Sequence, residues 1–234
     1  AAVLQIPLEP NTGAGVLIAA KVNDEDEDVA TAALEGAAKL HDAVVARNLT
    51  RYISDATATV AAGFYGPEQQ DIARTVALFA WESIKIVADA GARESVPVLI
   101  DALRFFGRSR YWDRHQRAEV LRVLGKLGDQ RAAAVLLDFL NDGSPLRWKT
   151  TEKGQRLHHT VGDAALLSLL RLYNLQPETF GMLIPTSDKG FAGYADDQSR
   201  REGHRAFRIW HQQHRERQPT RAYLPTSRPT REKD

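Results

Sequence analysis

The chain has 234 residues, 43% apolar and 26% charged, a composition that suits a folded domain or repeat array and excludes wholesale disorder. It contains no cysteine, which removes disulfides, thiolate metal sites and cysteine nucleophiles together. Net charge is only +1, yet the first 90 residues hold six basic and thirteen acidic side chains while the remainder holds 25 and 17. That polarity implies charged partner surfaces or copies meeting head to tail, and the small total excess argues against a dedicated nucleic-acid binder.

Residues 1–23 contain Pro7, Pro10, Gly13 and Gly15 and are expected as an extended N-terminal arm. Gly13–Lys21 is apolar but too short to span a bilayer, and no run approaches 18 apolar residues. Gly13-Ala14-Gly15 lacks the third glycine and the Lys-Ser/Thr ending of a phosphate loop, so it reads as a turn. The opening Ala1-Ala2-Val3 is what signal cleavage at small residues leaves, or else a trimmed end; the first reading puts the protein outside the cytoplasm. The acids Asp24 to Asp28 neither alternate as calcium ligands nor supply the sharp-turn glycine. They fit the start of a helix, where its dipole favours negative charge.

The middle repeats itself. Ile84–Leu103 lies over Leu121–Leu140 at an offset of 37 with no gap, placing Gly91 on Gly128, Val98 on Val135, Leu99 on Leu136 and Asp101 on Asp138. Lys39–Ile53 is a fainter copy with His41 in place of the glycine, and Asp163–Asn174 a half-copy with Asn174 in that place. Within one unit Ala118, Leu121, Leu124 and Leu127 form a helical stripe. Gly128 then ends the helix and Asp129 caps the next, whose apolar face runs through Ala133, Leu136 and Leu140. Pro97 sits near the start of the matching helix, where a missing N–H does no harm. Each hairpin exposes apolar residues on more than one side and must stack on its neighbours.

Arg117–Asp142, an apolar helix ending in Leu-Gly-Asp followed by small residues running into Leu-Leu, resembles the HEAT-repeat family in its bacterial form, close to phycobilisome-lyase-like repeats. The resemblance covers roughly residues 30–180 and implies an all-α superhelix, a short solenoid of antiparallel helix pairs with scaffolding roles. The fourth copy departs from it, because Pro177 and Gly181 cut its second helix short. The expected organisation is an arm over 1–23, helical repeats over 24–184, a C-terminal capping segment and helix over 185–217, and a Pro-rich tail over 218–234.

Segments outside the repeat carry the candidates for function. Residues 55–67 read as an insertion ending in a turn, and 144–159 as a loop or small hairpin turning at Lys153-Gly154. Arg108, Arg110, Tyr111, Trp112 and Arg114, with Arg147, Trp148 and Lys149, form a basic, aromatic ridge if adjacent hairpins present them at one end. Such a ridge suits protein hot spots, or alternatively nucleic acid by phosphate contact and stacking. His204, His211 and His214 fall within about 80° on the last helix and are weak metal candidates, read more simply as a polar, partly stacked helix edge. Adjacent His158 and His159 point apart, one expected against Trp148 and the other solvated. No catalytic framework and no cofactor motif emerges. The expectation is a non-catalytic subunit holding partner proteins within a larger complex.

Overall fold

The computed structural model describes residues 20–22, 24, 26–40, 43–63, 69–109, 111–186 and 191–215. Helical hairpins dominate it. The helices are α1 (Glu27–Leu40), α2 (Ala43–Ala61), α3 (Gln70–Asp89), α4 (Val96–Phe106), α5 (Arg114–Leu127) and α6 (Ala133–Asp138). A two-stranded antiparallel hairpin, β1 (Pro145–Thr150) and β2 (Arg156–Thr160), leads into α7 (Val161–Leu172), and α8 (Asp197–Arg215) closes the chain.

The first helices of successive hairpins stack in the order α1, α3, α5, α7. The second helices do the same through α2, α4 and the 3-10 turn Gln130–Ala132 that precedes α6. One apolar cluster runs through all of them, from Val22 to Phe207. No hairpin closes a core of its own. The repeat leaves an electrostatic mark too, since Lys126 at the end of α5 bonds Asp89 at the end of α3, 37 positions earlier, at 3.2 Å.

Gly91 and Gly128 both take the left-handed conformation, with φ of 68° and 67°, and Asn174 takes it at the equivalent place with φ 55°. Asparagine is among the few non-glycine residues that tolerate it. Beyond Asn174 the shortened second element is only the 3-10 turn Pro177–Phe180, ended by left-handed Gly181. Two expectations are corrected. Residues 55–61 continue α2 instead of looping out, because Ala56 and Val60 extend the buried face of Ile53 at helical spacing, while Thr57 and Thr59 satisfy their hydroxyls on the carbonyls of Ile53 and Asp55. In α6 regular helix stops at Asp138, although Phe139 and Leu140 still reach the core.

Of the arm expected over 1–23 only residues 20–22 are described, where Ala20 and Lys21 are helical and Val22 is buried. The tail over 218–234 lies outside the described residues, as does the turn position His41.

The tightest point of the stack is α5 on α7. A Cβ on Gly125 would stand 2.6 Å from the Cβ and 2.7 Å from the Cα of Ser168. In a free helix Gly→Ala gains about 1 kcal/mol. Here Gly125→Ala is expected to cost about 1–3 kcal/mol by overpacking. Urea unfolding reads the sign directly, and a stabilised variant would mean that these helices do not touch.

Candidate functional site

The expected ridge divides into three parts. Trp112 belongs to the core: it is 1% exposed, packs on Phe106 at 5.1 Å between ring centres, and donates its indole N–H to the Ala77 carbonyl at 3.0 Å. Tyr111 is half-buried against Phe105 and Phe106. Trp112 therefore leaves no aromatic face free for a partner to stack on. Arg108 is held by Asp138 at 3.0 Å on the surface, and Arg110 lies outside the described residues.

Arg114, Arg147 and Trp148 do come together, around a cleft of about 490 Å³ that also takes in His158 and Arg200. The hairpin is what assembles it. Gly154, with φ 77°, makes the turn, and the ladder sets Trp148 opposite His158, Arg147 opposite His159 and Lys149 opposite Leu157. Trp148 is 55% exposed, with the Arg156 guanidinium 4.0 Å from its ring centre. Asp196 and Asp197 line the same cleft, so it is not purely basic.

The histidines separate. His204 is buried and bridges two acceptors, the Leu140 carbonyl at Nδ1 and the Asp163 carboxylate at Nε2, both at 3.0 Å. His211 Nε2 meets the Tyr173 hydroxyl at 3.0 Å, and His214 stacks on Trp210 at 4.3 Å. The shared helix edge expected of them is therefore split among three different partners. Among the described residues no three His, Asp or Glu side chains are grouped to hold a metal ion.

His158 is the exposed one of the pair and lies opposite Trp148 in the ladder, while His159 is buried. Its ring packs on Phe191 and its Nδ1 faces the Ala192 carbonyl at 2.7 Å. Burial, against the raising effect of Asp163 and with help from Arg122 and Arg147, lowers its pKa to about 4. Unfolded histidine takes up its proton near pH 6.5, so between these limits the unfolded chain binds more protons and stability falls as pH falls. The expected loss from pH 7 to pH 4 is about 3 kcal/mol. Urea midpoints across that range should show it, and His159→Phe should flatten the slope; an unchanged slope would contradict the burial argument.

The node that joins the repeats to the C-terminal helix was not legible in the sequence. Asp163, fully buried, caps α7 reciprocally with Thr160 and receives Arg200 at 3.1 and 3.2 Å besides His204. Burial pushes its carboxyl up, but the His204 hydrogen bond and the Arg200 charge outweigh that and hold it below the usual carboxylate range. Every bond it makes is structural.

With this geometry in hand, residues 116–142 match the family model for the PBS lyase HEAT-like repeat. The segment is a HEAT-like repeat. No curated protein matches the chain, and no solved structure does. Together with the mostly helical architecture, the match makes the stack a HEAT-like superhelix, a class of helical repeat protein that commonly mediates protein interactions.

The HEAT-like stack also carries grooves that motif reading missed. One, of about 610 Å³, has Val22, Tyr52, Ile72, Val76 and Phe79 as its apolar lining and Asp24, Glu27, Asp55 and Asp71 as its charged lining. A second, of about 560 Å³, shares Glu27 and Phe79 and adds Leu34, Leu78 and Ile86 with Glu35, Glu82 and Asp89, and with Lys85, which pairs with Glu82. Ile72 and Leu78 are 50% and 43% exposed. The acidic excess of the first 90 residues was the available signal, though not where it would concentrate. Among the described residues no helix is long and apolar enough to cross a membrane.

Proposed function

We propose that the chain is a non-catalytic scaffold, whose HEAT-like superhelix and terminal segments hold partner proteins in an assembly. The observation that carries this reading is the pair of adjoining, acid-walled apolar grooves along α1 and α3. Exposed apolar side chains gain by being covered, and the surrounding carboxylates select what covers them. The occupant is a protein segment with apolar anchors flanked by lysine or arginine.

The test is recovery of partners from native extract by mass spectrometry, using the wild type and Ile72→Glu/Leu78→Glu. These positions are exposed, so the double variant should fold normally. A defined partner held by the wild type and by Arg147→Glu, but lost by the double variant, is the expected result. A chain that runs as a bare monomer in extract, or a partner held equally by all three, overturns it.

The alternative, nucleic-acid binding by the basic and aromatic loops, draws on exposed Trp148 under Arg156 but loses Trp112 to the core. Steeply salt-dependent binding to single-stranded DNA, lost with Trp148→Ala, would favour it instead.

A further inference from the structure

The residues that follow α8 carry, in one short stretch, the chemistry that the acidic grooves call for. Tyr223 and Leu224 stand together, and Arg217, Arg221, Arg228 and Arg231 surround them with no carboxylate anywhere in 217–231. Pro219, Pro225 and Pro229 oppose helix formation and reduce the entropy lost when such a segment is ordered.

The grooves match it. Tyr52, Ile72, Val76 and Phe79 in the first and Leu78 in the second are exposed or half-buried, so an incoming side chain can reach them. Four of the wall carboxylates already hold a cation: Asp24 takes Lys21, Asp71 takes Arg74, Glu82 takes Lys85 and Asp89 takes Lys126. Glu27, Glu35 and Asp55 are exposed and have no cationic partner among the described residues. Residues 1–19 are apolar too, but their one ionisable side chain is Glu9, which has the same sign as the walls.

Reach decides whose groove is filled. α8 docks beside α7 through Trp210 on Tyr173, and α5 stands between α7 and α3 in the stack. At about 8–10 Å for each packed helix, the end of α8 lies about 25–30 Å from the grooves. The eight residues from Arg215 to Tyr223 span at most about 26–29 Å when fully extended. A chain's own groove is therefore at the limit of reach, with no slack for a path over the surface. The groove of a second copy carries no such restriction.

We infer that residues 221–228 of one copy dock in the grooves along α1 and α3 of a second copy. Tyr223 and Leu224 cover the apolar floor, and the arginines pair with Glu27, Glu35 and Asp55. This rests on the reading of those grooves as protein-docking sites and names a copy of the chain as their occupant.

Sedimentation equilibrium on the full-length chain tests it. The wild type should self-associate, its mean mass rising with concentration, and about tenfold more weakly at about 1 M salt than at about 0.1 M. Ile72→Glu/Leu78→Glu and Tyr223→Ser/Leu224→Ser should each weaken self-association about a hundredfold. Mixed together, the two variants should restore a dimer and nothing larger, because one supplies an intact tail and the other an intact groove. Glu27→Lys/Glu35→Lys, at two exposed positions, is the second groove variant if the first does not fold. The inference is overturned by a wild type that stays monomeric, whether its groove then takes its own tail, residues 1–19 or another protein. It is overturned equally by a dimer indifferent to the tail variant, or by mixed variants that stay monomeric. A monomer that still loses its extract partner through Ile72→Glu/Leu78→Glu defeats this inference alone. Self-association with no other protein recovered defeats the scaffold reading alone.

Discussion

Replacing Asp163 with alanine is expected to destabilise the protein by about 3–5 kcal/mol, the cost of breaking a buried charged cluster from one side. The side chain is fully buried, and its loss leaves Arg200 and His204 without their shared acceptor. It also removes half of the reciprocal cap that starts α7. Asp163→Asn keeps an oxygen for the Thr160 N–H and should lose less, because one of two acceptor oxygens survives. The pH dependence separates this node from His159. A carboxyl held below its ordinary value contributes stability that is present at neutral pH and lost only below about pH 4. His159 acts earlier, between about pH 6.5 and 4. Acid unfolding of the wild type should therefore proceed through two windows, with the lower one reduced in Asp163→Asn to what Asp24, Asp129 and Asp196 contribute. Denaturant titrations at pH 7, 5 and 3 check both, and a cost below about 1 kcal/mol for the alanine variant would place the carboxylate in contact with water.

What was legible in the chain was local or periodic. The offset of 37 located Gly91 and Gly128, the half-copy Asp163–Asn174 located Asn174, and a left-handed residue at each of these turns lets one helix of a hairpin reverse into the next. The hairpin at Lys153-Gly154 followed from the same chemistry. What escaped depends on partners distant in sequence. Nothing near Asp163 announces that Arg200 and His204 will reach it from 37 and 41 residues away. The three histidines share spacing on one helix, but what each meets was decided by how α8 docks, through Phe207 onto Phe180 and Trp210 onto Tyr173. The threonines of residues 55–61 look like loop chemistry, yet inside a continuing helix they bond back to the preceding turn. Composition told which third of the chain is acidic; only stacking α1 against α3 turned that acid into walls.

Trp112→Ala should cost about 3–5 kcal/mol, the range for emptying a large aromatic site, while Trp148→Ala should stay within about 0.5 kcal/mol. Both tryptophans stand among arginines, and by composition either suits a partner surface. Their surroundings differ. Trp112 fills the space beneath the α4–α5 link and bonds the backbone of α3, tying two repeats together, whereas Trp148 projects from a hairpin edge. Trp112→Phe retains most of the packing but not the N–H, so about 1 kcal/mol of its loss reports the bond to Ala77. Circular dichroism through a urea titration gives all three values on one scale. If Trp112 instead served a partner, its alanine variant would unfold at the wild-type midpoint and fail only in binding, a result that buried rings cannot produce.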